Sequence, residues 1–309
     1  MTFLELANQA RREFVAHRNA DAASEVQVID GGAVPALSVI IPTRDADCGG
    51  NFAKLLEDIR RQSLQQHEVI IVKGDTRQGR AINTGAALAR AEILVTLDDD
   101  ARLGDGRVFE RLLAVMRAHP DIGMAGAPNL IPDDAPWLVR AAMEQLPRKR
   151  TPPVREITDS DLAEHGCLAI RKSVFYQVGG EHEWLPRGLD PYLRSRVRQA
   201  GYRVVVIPDA WYHHLPPRTM QALARQAFRN GAQAAYCQKF FPEDVIETPA
   251  HHTGVFPEQV AFPRRAVRYA VHIMTAFVTL RWIYLLERLV YAAGFLYGFL
   301  TARPPKQVQ

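Results

Sequence analysis

Cysteine is scarce in this chain: Cys48, Cys167 and Cys237 are far apart and odd in number. They build neither a disulfide framework nor a metal-spaced pair, which points to a reducing compartment. A phosphate loop of the G-x-x-x-x-G-K type is missing, and the turn after the first buried strand, PTRDADCGG, lacks the glycine fingerprint of dinucleotide binding. A nucleotide hydrolase and a dehydrogenase are both disfavoured on that ground. The opening residues, MTFLELANQARREF, mix acid and base too early for a signal-peptide core. They read as a short amphipathic helix with Phe3, Leu4, Ala7 and Phe14 available for burial. Internal repeats and low-complexity tracts are missing too. The charge balance leans only slightly one way, at +4 with a sequence pI near 9.0. That suits an anionic ligand or membrane surface without requiring either. The one basic run, Arg148-Lys149-Arg150, is too short for a nucleic-acid footprint, and reads as a solvated face or an anionic-lipid contact.

What is present is regular alternation. LSVII (Leu37–Ile41), EVIIV (Glu68–Val72), EILVTL (Glu92–Leu97) and IGMAGA (Ile122–Ala127) are apolar throughout and read as buried strands. Between them, NFAKLLEDIRRQS, GRAINTGAALARA and RVFERLLAVMRAH have helical periodicity, the first with Asn51 as its expected N-cap. Strands without polar alternation, separated by helices, predict a doubly wound, mostly parallel α/β sheet covered on both faces. Residues 128–165 are proline-rich and irregular apart from a helix near PWLVRAAMEQL. A strand YRVVVI and a long helix RTMQALARQAFRNGAQAAY follow. The expected layout is an N-terminal helical segment over 1–35, the α/β domain over 36–240, a connector over 241–265 and an apolar helical tail over 266–309.

In an open α/β sheet, ligands bind beyond the carboxyl ends of the strands. The rim expected there carries Thr43, Arg44 and Asp45, then Lys73 and Asp75, then Asp98, Asp99 and Asp100. Three adjacent carboxylates repel one another. A hard divalent cation, Mg²⁺ or Mn²⁺, offsets that repulsion and can neutralise a diphosphate on its other side. The simpler reading is an acidic turn capping the helix at 107–118, but Asp105 alone would serve for that. An aspartyl-phosphate hydrolase would set its acids after the first strand with a nearby hydroxyl, which Asp98-Asp99-Asp100-Ala101-Arg102 does not.

Taken in order, LSVIIPTRD, EVIIV, GRAINTGAALARAEILVTLDDD, GCLAIRKSVFYQVGG and GLDPYLRSRVRQAGYRVVVIPDAWYHH resemble the family 2 glycosyltransferases of the A-type nucleotide-sugar fold, over roughly residues 36 to 235. The resemblance implies that Asp98, Asp99 and Asp100 form the DxD-like motif for metal and diphosphate. It implies that Thr43 and Asp45 approach the nucleoside, and that Arg80 and Asn83 lie near ribose and diphosphate. An arginine there would donate in bidentate fashion. Asp190 becomes the expected base of an inverting transfer, although Leu189 stands where the family carries Glu; as an ordinary Asp-Pro helix start, Asp190 would instead be an N-cap. His213 and His214 stand where similar enzymes place a further metal ligand, with His214 preferred. Lys73 and Gly74 replace the acids that recognise uracil, with Asp75 displaced, so UDP is only the default donor.

The tail, AVRYAVHIMTAFVTLRWIYLLERLVYAAGFLYGFLTAR, is apolar and aromatic, yet its uncharged stretches fall short of the roughly 18–20 residues of an ordinary span. An interfacial or re-entrant hairpin is expected, with Trp282 and the tyrosines at headgroup level; the alternative is a helix pair in an oligomer interface. The combined expectation is a metal-dependent transferase at the cytoplasmic face of the cell membrane. It would take a nucleotide-sugar donor and a saccharide or lipid-linked acceptor of the cell envelope, with no nucleic-acid partner. The rival expectation is a non-catalytic nucleotide-sugar-binding protein on a decayed transferase fold.

Overall fold

The computed structural model describes residues 24–29, 34–246 and 260–305. In chain order the elements are β1 (Glu25–Ile29), β2 (Leu37–Thr43), α1 (Asn51–Arg60), β3 (His67–Lys73), α2 (Gln78–Leu88), β4 (Ile93–Thr96), β5 (Ala101–Leu103), α3 (Val108–Ala118) and β6 (Ile122–Gly126). Then come α4 (Trp137–Gln145), β7 (Thr158–Asp159), β8 (Leu168–Arg171), α5 (Lys172–Gln177), α6 (Leu189–Gln199), β9 (Arg203–Val206) and β10 (Tyr212–His214). Three long helices close the chain: α7 (Met220–Phe240), α8 (Phe262–Val278) and α9 (Trp282–Thr301).

Eight strands form one sheet in the order β1-β3-β2-β4-β8-β6-β9-β7. Strands β3, β2, β4, β6 and β9 share one direction, while β1, β8 and β7 run against it. Both faces of the central strands are buried, as their unbroken apolar runs require. Leu37, Val39 and Ile41 of β2 turn toward α1 and α3 in one core half. Ile40 turns the other way with Ile70 and Val72, against α2, α5 and α6. Helix α2 owes its small residues to this approach. A Cβ on Gly85 would lie 2.4 Å from Ile40 Cγ2, so a side chain there would push the helix off the sheet.

The sheet is the mostly parallel α/β architecture expected from the sequence, but it begins earlier. Residues 25–29, inside the stretch read as helical, form an antiparallel edge strand beside β3, with Glu25 opposite Lys73. The rest of that helical reading lies outside the described residues, as does most of the connector. Asn51 is also corrected. The residue before α1 is Gly50 at φ 79°, and Asn51 opens the helix itself. Its amide donates to the carbonyls of Asp99 (3.4 Å) and Ala101 (3.2 Å), tying the helix start to the acidic turn.

The tail helices are docked on the domain. Helix α9 crosses α7 at backbone contact: a Cβ on Gly294 would lie 2.1 Å from the Phe228 carbonyl oxygen, and one on Gly231 2.0 Å from that of Tyr291. Lys239 of α7 donates to the carbonyls of Phe299 and Ala302, both at 3.1 Å. At its other end α9 is seated on α4, where the Gln145 amide oxygen accepts from the N–H groups of Ile283 (3.2 Å) and Tyr284 (3.4 Å). Among the described residues α9 is the one helix long and apolar enough to cross a membrane, with Glu287 and Arg288 within it. The outer surface of the α8–α9 pair is apolar. Val271, Met274, Phe277, Val278, Leu289, Leu296 and Leu300 are all more than half exposed.

Candidate active site

The three aspartates occupy the tight turn between β4 and β5, closed by the Ala101 N–H donating to the Asp98 carbonyl at 3.0 Å. They do not cap α3; Asp105 instead accepts from the Arg107 N–H at 2.8 Å and pairs with Arg111. Strand β5 pairs antiparallel with β10, and the register sets His214 opposite Ala101. A residue more than a hundred positions away is thereby delivered beside the turn.

One carboxylate oxygen each from Asp98 and Asp100 and one ring nitrogen of His214 lie within 4.8 Å of one another. His214 Nε2 is 3.1 Å from Asp100 Oδ1, and Nδ1 is 3.9 Å from Asp98 Oδ2. Two carboxylates and an imidazole form a donor set that fits Mn²⁺ and accommodates Mg²⁺. His213 does not join them. The next residue along a strand faces the other way, and its Nδ1 sits 2.7 Å from the Leu130 carbonyl.

Charge at the trio is finely divided. Burial pushes Asp98 up to about 6, against the opposing pull of His214, and Asp100 adds to the rise. Asp100 is held below the usual carboxylate range: burial would raise it, but the His214 hydrogen bond and charge prevail. Burial alone would lower His214, and the bond to Asp100 with both carboxylate charges lifts it to about 9. So the imidazolium stands in for a cation among these acids. Asp99 is turned away from the trio, its Oδ2 accepting from the Thr43 hydroxyl at 2.7 Å. Thr43 therefore braces the acidic turn, while Asp45 lies on the exposed rim with Oδ1 accepting from the N–H groups of Asp47 (3.0 Å) and Cys48 (3.1 Å).

Three residues expected near the donor are committed elsewhere. The Asp75 side chain is fully buried and bonded bidentately by Arg80, at 2.5 Å to Oδ2 and 2.8 Å to Oδ1. Asn83 is buried too and clasps the backbone of Glu181, donating to its carbonyl and accepting from its N–H, both at 2.8 Å. Asp75 and Arg80 thus tie the turn after β3 to α2, and Asn83 ties α2 to the loop at Glu181. The polar contact on that side of the trio is instead Gln78, whose amide donates to Asp98 Oδ1 at 2.9 Å.

Asp190 sits in the first turn of α6, preceded by Gly188 at φ 87°. It is not the N-cap, but a carboxylate in the first turn is favoured by the helix dipole. Its Oδ1 accepts the His165 main-chain N–H at 2.7 Å. Burial would raise its pKa, yet the charges of His165 and Arg194 and that hydrogen bond bring it below the ordinary value. Leu189, where the resemblance anticipates Glu, packs with Leu185 and Cys237 in an apolar pocket that an acid would not tolerate.

Sequence reasoning missed the group behind Asp190. His165 is buried between the Thr96 hydroxyl, 2.9 Å from Nδ1, and Glu181, whose Oε1 is 2.7 Å from Nε2. Burial opposes its protonation, but the charges of Glu181 and Asp190 raise it to about 9, so both ring nitrogens donate at neutral pH. Nothing in the spacing of His165 and Glu181 marks them as partners; one precedes β8 and the other follows the glycine pair after α5.

Residues 72–179 match the model of the family described as Glycosyl transferase family 2. This segment is similar to the family 2 glycosyltransferases. The resemblance read from the sequence is borne out, and with it transferase activity as the enzyme class. Among solved structures, the chain is similar to the mannosyltransferase PcManGT from Pyrobaculum calidifontis, solved in complex with GDP-Man and Mn²⁺. The TM-score is 0.56 at 13% identity, covering 96% of this chain and 97% of that one. A weaker similarity joins it to S. aureus TarS 1-349 in complex with UDP, with TM-score 0.43, 13% identity, and coverage of 85% and 90%. No curated protein matches the chain significantly.

Proposed function

We propose that the domain is a metal-dependent, inverting glycosyltransferase working at a membrane surface on a saccharide or lipid-linked acceptor. The observation that carries this is the convergence of Asp98 and Asp100, which lie in the segment matching the transferase family, with His214 from beyond it, at the exit of β4. The Mn²⁺ and GDP-mannose named for the similar mannosyltransferase agree with a metal-held sugar nucleotide here, although at that identity the likeness concerns fold alone. Asp98, Asp100 and His214 would hold the ion, which supplies positive charge for a departing diphosphate. Thr43 keeps Asp99 turned aside, and Gln78 fixes the carboxylate of Asp98.

Asp190 is the base in this reading. Its depressed pKa keeps it ionised at neutral pH, ready to take the proton of an acceptor hydroxyl as that oxygen bonds to the anomeric carbon. The bond from that carbon to the diphosphate breaks on the opposite side, and its electron pair leaves with the nucleoside diphosphate. His165 fixes the carboxylate through its main-chain N–H. The exposed apolar surface of α8 and α9, docked against the same domain, supports placement on a membrane face, and the reducing-compartment reading of the cysteines supports the cytoplasmic one. The test is sugar release or transfer from nucleotide sugars by the purified chain with Mn²⁺. Activity should vanish in Asp100→Ala and Asp190→Asn with folding retained. Equal turnover by wild type and Asp100→Ala, with or without metal, would exclude this function.

A further inference from the structure

The basic run at 148–150 does not end as a solvated loop face. Asn129 pins it beside the trio: its amide donates to the carbonyls of Lys149 (3.0 Å) and His214 (3.3 Å), and its oxygen accepts the His214 N–H at 2.9 Å. Arg148 is occupied with Glu164 at 3.1 Å, which leaves Lys149 as the half-buried cation of the run facing the site. Arg187, in the loop before α6, is exposed, and its guanidinium carbon lies 6.0 Å from the ring centre of Tyr291 on α9. The two cations border the same helix, Lys149 three residues after Leu146, which packs on Ile283 and Tyr284 of α9, and Arg187 beside Tyr291, two turns further along it. Burial first, and then the Arg187 charge, lower the Lys149 ammonium, although Glu164, Glu287 and Asp100 pull it back up. Glu287 is itself spent on Arg288, whose Nη2 donates to Oε1 at 2.7 Å. Among the described residues neither Lys149 nor Arg187 has a hydrogen-bonded anionic partner from the protein. Two like charges kept together without such a partner form a seat for an anion.

The position of this seat says which anion. The sheet order places β3 and β2, whose exits carry the rim expected to face the nucleoside, on one side of β4. Lys149 and Asn129 belong to the connection after β6, on the other side, where α9 begins its contact with α4. Leu146, three residues before Lys149, packs with Ile283 and Tyr284 of α9. The seat therefore lies between the trio and the exposed apolar hairpin, on the side away from the donor's base. From this juxtaposition we infer that Lys149 and Arg187 bind the phosphate nearest the hydrocarbon chain of a lipid-linked acceptor, with that chain lying along the exposed apolar face of α9. The inference rests on the transferase reading and narrows its acceptor to a phosphate-bearing lipid.

The test uses the full chain in nanodiscs of neutral phosphatidylcholine, with farnesyl phosphate as probe and farnesol and inorganic phosphate as controls. Farnesyl phosphate should bind at least about tenfold more tightly than either control, because only it engages both the cations and the apolar face. Lys149→Gln and Arg187→Gln should each weaken it by about tenfold or more. Both side chains reach solvent, so the variants should fold, which their unfolding midpoints will verify. Binding no tighter than farnesol, or unaffected by both substitutions, overturns the inference. So does equal competition by phosphatidylglycerol in the disc, which would make the pair a bulk-lipid contact. Nucleotide binding with Mn²⁺ is measured on the same wild-type sample. If nucleotide binds but farnesyl phosphate does not, the acceptor inference alone fails; if no nucleotide binds with metal, the transferase reading fails with it.

Discussion

Replacing Glu181 by Gln keeps the shape of the side chain and removes the charge that holds His165 protonated. Both side chains are within 4% of complete burial and 2.7 Å apart, so solvent screens little of the loss. Removing one member of such a pair strands the other, at a cost of about 3–5 kcal/mol. At roughly 2–4 °C per kcal/mol for a large domain, the melting temperature should fall by about 10 °C. The pH dependence carries the sign. His165 is raised in the folded state to about 9 from its ordinary 6.5, so the stability it contributes is fully present below that ordinary value and is lost as pH rises through about 9. Urea unfolding of wild type and Glu181→Gln from about pH 6 to about pH 10 should show a wide gap that narrows at the alkaline end. A gap below about 1 kcal/mol, or one that stays constant across that range, would refute the charged-pair account of the support behind Asp190.

Metal uptake should release about one proton near neutral pH, since His214 must give up its proton to become a ligand; calorimetry in buffers of different ionisation enthalpy reads this directly, and no release would contradict the imidazolium described above. Gly294→Val should separate α9 from α7, because even a Cβ would meet the Phe228 carbonyl at 2.1 Å. We expect a loss of about 1–3 kcal/mol or more, read by proteolysis near residues 278–282, and unchanged cleavage would refute the packing argument. Deleting residues 266–309 should abolish co-sedimentation with vesicles, and a truncated chain that still sediments would remove the membrane role of the hairpin.

Much of this was legible in the sequence because its strands are buried on both faces and say so in every residue. LSVII, EVIIV and IGMAGA admit no other placement, and the aspartates ending EILVTL fall at the rim by topology alone. What failed to show was anything decided by pairing across the chain. Strand β1 has only five residues, four of them exposed, so its hydrophobic pattern is weak and its place beside β3 follows from register. The choice between His213 and His214 depended on which face of β10 meets β5, and two adjacent histidines carry no signal of that. Asn83, Arg80 and Asp75 belong to the matching segment, but their side chains bond to partners that the linear order does not reveal. The same applies to Lys73. It stands where an acid was anticipated, and its ammonium lies 3.9 Å from Glu25 on the edge strand.

The most direct measurement is manganese electron paramagnetic resonance on the purified chain, titrated with a nucleoside diphosphate. The account requires free Mn²⁺ signal to disappear as the ion binds, more completely with GDP or UDP present, and to persist in Asp98→Asn/Asp100→Asn. Undiminished free signal in wild type with every nucleotide tried, or the same uptake in the double variant, would mean that the carboxylates after β4 are not a metal–diphosphate site.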